Sequence, residues 1–127
     1  MLVKEIYDIF KQEPIFQNAY MRFLYQDIKR NIDKGTYIYQ DGVYLDYLVY
    51  KRKEEVKLNR IISKNKGKGN ATKVILQFLS KFKNKDIILK VDKNNIKAIN
   101  LYIKVGFILE KELDNFYLQY KKSQANI

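Results

Sequence analysis

The sequence predicts an α/β (α+β) fold with about four helices, a three-stranded antiparallel meander and a closing hairpin. Two observations carry this prediction. Apolar residues recur with the helical period in four segments, and the segments between them are rich in Tyr, Val and Ile and bounded by turn residues. With 127 residues, 46% of them hydrophobic and 31% charged, the chain has the composition of a soluble globular protein. We assign residues 1–127 to a single domain.

Two amphipathic helices are predicted at the start of the chain. The first has apolar residues at the i, i+3, i+4, i+7 spacing, namely Val3, Ile6, Tyr7 and Phe10. Pro14 suits the first turn of the second helix, which we expect to end at Gly35. The predicted apolar face of this second helix consists of Phe16, Ala19, Tyr20, Phe23 and Leu24.

A change from helical to strand periodicity follows Gly35. Residues 36–40 and 43–52 are rich in Tyr and Val and flank Asp41-Gly42, a strong signal for a tight hairpin. A second reversal at residues 53–55 leads into a strand near residues 56–62. These three strands are expected to form the antiparallel meander.

The second half of the chain alternates between helix and strand. A glycine-rich turn at residues 66–71 opens a helix whose apolar face consists of Ala71, Val74, Ile75, Phe78, Leu79 and Phe82. A buried strand is predicted at residues 86–91, followed by a helix that begins near Asn94 or Asn95. Gly106 is expected to be the left-handed cap of that helix, with Phe107 folding back on its last turn. Residues 107–113 and 116–121 are predicted to form the closing hairpin.

The chain has no cysteine and no histidine. It therefore has no disulfide framework, no thiolate or imidazole zinc site, and no Cys/His or Ser/His/Asp catalytic group, and we expect no metal. No apolar run approaches the roughly 18 residues that a membrane helix needs, so no membrane partner is expected. Without cysteines to indicate an oxidising compartment, the cytoplasm is the default location.

The formal net charge of +11 has two interpretations. Basic proteins attract nucleic acids and phosphorylated ligands. The lysines, however, are spread along the chain, and the abundance of Lys, Asn and Ile is typical of a general compositional bias. Because no nucleic-acid-binding motif is present, any binding of nucleic acid is expected to be weak and non-specific.

The glycine-rich turn is the first candidate binding site. Glycines at 67 and 69 allow positive φ angles and a close approach of the backbone to an anion, at the positive end of a helix. Lys66 and Lys68 add positive charge nearby. The pattern matches neither the phosphate loop of nucleotide hydrolases nor the dinucleotide fingerprint, which requires a third glycine where Thr72 stands. A solvated basic turn remains the alternative interpretation.

Two motifs together resemble the GNAT superfamily of N-acetyltransferases. In that family the loop runs Arg or Gln, two residues, Gly, one residue, then Gly or Ala. Here it reads Lys66-Gly67-Lys68-Gly69-Asn70-Ala71, with Lys in the place of Arg or Gln. The family's second motif corresponds to Val91, Asn95, Ala98, Tyr102, Gly106 and Phe107. The resemblance covers residues 43–121.

The resemblance implies the GNAT fold, a mixed and mostly antiparallel central sheet flanked by about four helices. It also implies acetyl-CoA as the cosubstrate, with its pyrophosphate held by the backbone amides of residues 68–72, from Lys68 through Gly69, Asn70 and Ala71 to Thr72. Asn95 is expected to bind the pantetheine or adenylate end. Ala98 is expected to leave room for the coenzyme.

Acetyl transfer to an amine needs a stabilised oxyanion and a proton for the departing thiolate. In the family, a backbone amide of the strand before the loop polarises the thioester carbonyl. The resemblance implies that this amide comes from Arg60, Ile61 or Ile62, with Ile61 and Ile62 as the candidate residues. Tyr102 is the candidate general acid, since a phenol with a pKa of about 10 suits a thiolate leaving group.

The candidate base is Glu55, which also has the features of an ordinary turn residue. Water, or an amine that arrives neutral, is the alternative. Asp46 is a second acidic residue within a predicted strand, either anchoring the acceptor amine or lying at a solvated position. The acceptor itself is expected to be a small-molecule or protein amine.

The resemblance is weakest at the start of the chain. The family opens with a strand ahead of its two helices, whereas here the first helix is predicted from Val3, so the sequence is expected to be trimmed at this end. Either the edge strand is missing or a partner subunit, such as a second copy in a homodimer, covers that edge. A non-catalytic GNAT-fold module that binds the coenzyme or regulates another protein is the alternative function.

Overall fold

The helices and strands follow one another in the order that the sequence predicts. The structure is a computed structural model that describes residues 1–12, 21–65, 67 and 69–124, without the side chains of residues 21 and 22. Within this part of the chain the helices are α1 (Leu2–Lys11), α2 (Met21–Lys34), α3 (Asn70–Lys81) and α4 (Ile96–Lys104). The strands are β1 (Tyr37–Gln40), β2 (Val43–Tyr50), β3 (Glu55–Ser63), β4 (Asp86–Asp92), β5 (Ile108–Glu112) and β6 (Tyr117–Lys122).

The predicted second helix corresponds in part to α2. Its expected start at Pro14, and three residues of its apolar face, lie outside the described residues: Phe16, Ala19 and Tyr20. α2 ends as predicted, because Gly35 adopts a φ of 72° directly after Lys34. Leu24 is buried, but the prediction for Phe23 is wrong, since this side chain is 63% exposed. The buried face of α2 runs instead through Leu24 and Ile28, one turn apart.

A single six-stranded sheet, in the order β1-β2-β3-β4-β6-β5, forms the centre of the described structure. Neighbouring strands are antiparallel except for β3 and β4, which are parallel. A parallel pair needs a crossover connection, and α3 provides it. The sheet is therefore mixed and mostly antiparallel, as the resemblance implies. The described residues ahead of α1 contain no strand, so β1 and β5 form the two edges.

The predicted hairpin is present between β1 and β2. Asp41 and Gly42 both have positive φ angles, 53° and 75°. Two successive positive φ angles give a turn whose twist matches that of the flanking strands, which explains the preference for Asp-Gly at this place.

Helices cover both faces of the sheet. Val43, Leu45 and Tyr47 of β2 point into a core with α3, where Phe78 is fully buried. Tyr44, between them on the strand, points into a second core with α1 and α2. Among the described helices none is long and apolar enough to cross a lipid bilayer.

The parallel strands β3 and β4 separate before they end. Their ladder starts at the pair Glu55 and Asp86, and its last pair is Leu58 and Leu89. Beyond this point β3 continues to Ser63 beside β2, and β4 continues beside β6. The sheet therefore opens into a wedge at the C-terminal ends of the two strands, the usual place for ligands in sheets with parallel strands.

Candidate active site

The backbone amide of Ile61 in β3 faces the wedge. The amide of Lys64 donates a hydrogen bond to the carbonyl of Gly42 (2.8 Å), which fixes the alternation along the antiparallel pair of β3 and β2. Every second amide from Lys64 points towards β2, so the amide of Ile62 does too. The amide of Ile61 points the other way, where β4 has already diverged after Leu58. Of the two predicted residues, Ile61 is therefore the one whose amide points away from β2 towards the opening.

The glycine turn leads directly from β3 to the start of α3. Gly67 and Gly69 have φ angles of 81° and 76°, as the sequence predicts, and a Cβ atom on either would meet no heavy atom within 4 Å. Gly69 is the N-cap, and its carbonyl accepts the amide of Lys73 (3.2 Å). The amides of Asn70, Ala71 and Thr72 consequently have no acceptor within the helix.

The surroundings of this turn are suited to an anion. No acidic residue lies in the first turn of α3. The side chain of Asn70 donates to the carbonyl of Asp41 (3.3 Å) and so ties the turn to the β1–β2 hairpin. Open space, three amides without helical partners and the positive end of a 12-residue helix fit a phosphate group. Lys66 and Lys68 lie outside the described residues.

α4 starts at the same end of the sheet, directly after β4. Asn95 is its N-cap, and its Oδ1 atom accepts the amide of Ala98 (3.3 Å). The carbonyl oxygen of this side chain therefore serves the helix, and its exposed amide group is the part that can reach a ligand. Ala98 is half-buried against the core that contains α3.

Tyr102 lies one helical turn after Ala98 and is only 7% exposed. Its ring packs edge-on against Phe107, with the ring centroids 5.7 Å apart. Among the described residues its hydroxyl has no hydrogen-bond partner. Burial raises the pKa of Tyr102 to about 12, so the phenol keeps its proton at neutral pH. The hydroxyl therefore carries a proton that it can donate, although the raised pKa makes it a weaker acid than a free phenol.

The structure does not bring Glu55 to the wedge. Glu55 is the first residue of β3 and pairs with Asp86, at the end of the ladder opposite to the divergence. Six residue-to-residue steps along the extended strand lead from Glu55 to Ile61, which corresponds to about 20 Å.

Asp46 is buried, and no local pattern in the sequence indicates this. Its side chain is 0% exposed, so the interpretation as a solvated strand position is wrong. One carboxylate oxygen, Oδ2, accepts hydrogen bonds from the Tyr44 hydroxyl (2.7 Å), from Arg60 Nη1 (2.8 Å) and from Asn31 Nδ2 (3.3 Å). The other oxygen, Oδ1, has no partner within the described residues. Burial raises the pKa of the Asp46 carboxyl, and the guanidinium of Arg60 opposes this effect.

Arg60 was considered at sequence level only for its backbone. Its guanidinium binds Asp46 of β2 through Nη1 and Asp27 of α2 through Nη2 (2.9 Å). The only sequence feature that could have indicated these ion pairs is a charged residue within a segment of strand-like alternation. In the described part of the chain, no group of three or more acidic residues is placed to hold a metal ion.

No protein-family model and no curated protein matches the sequence. Solved structures do match. A protein from Desulfovibrio desulfuricans, described as belonging to the GNAT family of acetyltransferases, superposes with a TM-score of 0.81 at 10% identity, over 97% of this chain and 92% of the other.

Two further similar structures are acetyltransferases with more specific descriptions. The ribosomal-protein-S18-alanine N-acetyltransferase of Escherichia coli has a TM-score of 0.76 at 15% identity, over 98% of this chain and 89% of the other. The PaiA N-acetyltransferase of Thermoplasma acidophilum was solved in complex with coenzyme A. It has a TM-score of 0.71 at 16% identity, over 96% of this chain and 90% of the other. At these identities the likeness establishes the GNAT fold for this chain.

Proposed function

We propose that the protein is an acetyl-CoA-dependent N-acetyltransferase that acetylates a primary amine. The observation that carries this proposal is the position of three features at one end of β3 and β4. The Ile61 amide faces the wedge between the strands, the open amides of α3 follow β3, and the helix with Tyr102 follows β4. The coenzyme complex of a protein with the same fold supports acetyl-CoA as the cosubstrate.

The coenzyme is proposed to bind with its pyrophosphate at the start of α3. The amides of Gly69 to Thr72 supply hydrogen bonds, and Lys66, Gly67 and Lys68 bring the backbone and positive charge close to the phosphates. The pantetheine arm then follows the wedge past Ala98, where the small side chain leaves room. The exposed side-chain amide of Asn95 is proposed to bind the coenzyme at the mouth of the wedge.

The proposed reaction is a direct transfer. The amine nitrogen attacks the thioester carbon, a C–N bond forms, and the carbonyl oxygen becomes an oxyanion that accepts a hydrogen bond from the Ile61 amide. One preorganised donor of this kind is typically worth about 3 kcal/mol. The C–S bond then breaks, and Tyr102 gives its proton to the thiolate and regains one from solvent.

No side chain is assigned as the base: either water removes the proton of an ammonium acceptor, or the amine arrives neutral, and in both cases water takes the proton that the nitrogen loses after attack. Glu55 is not included in this step, because about 20 Å of strand separates it from Ile61. The acceptor is proposed to be a small-molecule or protein amine. Among the proteins with the same fold, one is an alanine N-acetyltransferase of a ribosomal protein, and another is a spermidine N-acetyltransferase chimera.

The experiment that tests the function combines acetyl-CoA with a panel of amines and measures release of the free thiol and acetylated product. The panel contains polyamines, peptides with free N-termini and peptides with internal lysines. Thiol release that depends on one amine class, above the rate of hydrolysis, supports the proposal. Tight coenzyme binding without transfer to any amine supports the non-catalytic module instead.

A further inference from the structure

Arg60 connects three elements of the fold at one point. Its Nη1 atom lies 2.8 Å from Asp46 Oδ2 on β2, and its Nη2 atom lies 2.9 Å from Asp27 Oδ2 on α2. The side chain is 16% exposed, and Asp46 is completely buried. Arginine is suited to this arrangement because its planar guanidinium presents several donors in a rigid fork.

The same point is an irregularity of the sheet. Between β2 and β3 the register shifts after the pair Asp46 and Arg60, so that Tyr47 pairs with Leu58 and Asn59 is left over as a bulge. A bulge bends a strand and increases its twist. The ladder between β3 and β4 ends at Leu58, one residue before the bulge.

We propose that Arg60 is the positioning residue for the oxyanion amide: bound to Asp46 and Asp27, its side chain holds the bulge of β3 in place and thereby aims the Ile61 amide into the wedge. This inference rests on the proposed function. Arg60 does not touch the reacting atoms. It acts on the next residue in the chain, through the backbone that the two share.

The contacts around Asp46 indicate that this arrangement is fixed. Its Oδ2 atom accepts from side chains of three elements: Arg60 on β3, Tyr44 on β2 and Asn31 on α2. Asn31 in turn accepts the hydroxyl of Thr36 at its Oδ1 atom (2.7 Å), so its side-chain orientation is fixed as well. A bulge without such a network is free to shift its extra residue along the strand, and an oxyanion donor displaced by about 1 Å loses much of its effect.

The first test is Arg60→Lys, which keeps the positive charge and loses the fork. A lysine ammonium is a single point of contact and does not replace both bonds in the same geometry. We expect the variant to bind coenzyme A with unchanged affinity and to lose at least tenfold in kcat. Arg30→Lys is the matched control, because Arg30 also binds Asp27 (2.8 Å) but lies on α2 and contacts no strand through this bond. It should retain the wild-type kcat.

A second measurement reads the amide itself. Infrared difference spectra of bound acetyl-CoA, labelled with ¹³C at the thioester carbonyl, report the hydrogen bond to the carbonyl oxygen as a lowered stretching frequency. We expect this lowering in the wild-type protein and in Arg30→Lys, and its loss in Arg60→Lys. A structural defect elsewhere does not change this frequency while affinity stays constant.

The outcomes separate the two proposals. A wild-type protein that neither binds acetyl-CoA nor acetylates any amine overturns the proposed function. An active wild type with wild-type kcat and carbonyl frequency in Arg60→Lys overturns the positioning role alone. If Arg60→Lys does not fold, Asp27→Asn removes the charge of the less buried partner, which is 27% exposed. Like Arg60→Lys, it should lower kcat and raise the carbonyl stretching frequency relative to the wild type. An Asp27→Asn protein with unchanged kcat and unchanged frequency overturns the inference.

Discussion

Tyr102 and Phe107 are held together at the end of α4 by two contacts. Their rings meet edge-on at 5.7 Å, and the amide of Phe107 donates to the carbonyl of Tyr102 (2.9 Å). Gly106 lies between the helix end and Phe107 with a φ of 107°, which turns the chain back towards the helix, as the sequence predicts. The ring of Tyr102 therefore has a structural partner, whereas its hydroxyl has none among the described residues. These two parts of one side chain are separable by mutation.

Tyr102→Phe should lower kcat and leave the fold and coenzyme affinity unchanged. The substitution keeps the ring and its packing, and it removes a hydroxyl that makes no hydrogen bond within the described part of the protein. General acid–base catalysis is typically worth about 10²–10⁴-fold in rate, so we expect kcat to fall by this amount. Steady-state kinetics and calorimetry with acetyl-CoA measure the two quantities separately.

The control for this prediction is Tyr120→Phe. Tyr120 is 5% exposed in the same core, and its backbone pairs with Leu89, outside the wedge. It should turn over at the wild-type rate. Equal kcat values for wild type and Tyr102→Phe, with a good acceptor, would show that Tyr102 is only a core residue.

Gly69→Glu should weaken coenzyme binding by at least tenfold, or about 1.4 kcal/mol. The new carboxylate is placed at the N-cap of α3, where the proposed pyrophosphate lies, and its charge opposes that of the phosphates. Gly35→Glu is the matched control, because Gly35 has nearly the same φ (72° against 76°) and equally open surroundings for a Cβ atom. Both variants carry the same backbone strain, so only the loss specific to Gly69 reports the binding site. Calorimetry that finds no binding of millimolar acetyl-CoA to the wild type contradicts the coenzyme site.

The glycine turns could be predicted because their signals are local. Asp41-Gly42 specifies a tight hairpin within two residues, and Gly69 and Gly106 mark helix ends where a positive φ is needed. Gly69 and Gly106 belong to the motifs that resemble the GNAT family, which explains why the start of α3 and the end of α4 were predicted well. Neither prediction required knowledge of distant contacts.

The pair of Asp46 and Arg60 could not be predicted in this way. The two residues are brought together by the register of two strands, and a bulge shifts that register by one residue. Whether Asp46 is solvated or buried depends on α2, which supplies Asn31 from a distant part of the sequence. The location of Glu55 relative to the wedge likewise depends on where β3 and β4 separate, and no local pattern marks that place.

Tyr102→Phe should also change the response of the protein to alkaline pH. Burial raises the pKa of Tyr102 to about 12 in the folded state, against about 10 in the unfolded chain. The stabilisation that this shift represents is complete below about pH 10 and is lost as the pH rises towards 12. The free energy of unfolding of the wild type should therefore decline in this range more steeply than that of the variant, by up to about 1.4 kcal/mol per pH unit.

Urea unfolding at several pH values between about 7 and 11 checks this prediction. Burial raises the pKa of Tyr44 as well, so the variant should still lose stability at high pH, with a shallower slope. The difference in stability between the two proteins should be constant below about pH 9. A difference that stays constant up to pH 11 would contradict the effect of burial on the pKa of Tyr102.

Nucleic-acid binding should be weak, insensitive to sequence and steeply dependent on salt, in spite of the net charge of +11. Several lysines are already paired with acidic side chains. Lys85 binds Glu54, and Lys93 binds Glu112. The Nζ atom of Lys121 lies 3.6 Å from Asp86 Oδ2 and 3.6 Å from Glu110 Oε2. Such lysines offer less charge to a phosphate backbone, and counterion release by the remaining ones gives affinity without base recognition.

Filter binding of mixed DNA and RNA at about 50 and 200 mM salt, with labelled acetyl-CoA present, tests this expectation. Binding should fall steeply between the two salt concentrations, and no label should remain on the polymer after the protein is removed. Bovine serum albumin, chemically modified to a comparable positive charge, provides the control for charge alone and should show a similar salt dependence. Acetyl label retained on DNA or RNA, together with affinity that survives the higher salt, would mean that the acceptor amine is carried by nucleic acid rather than by a small molecule or a protein.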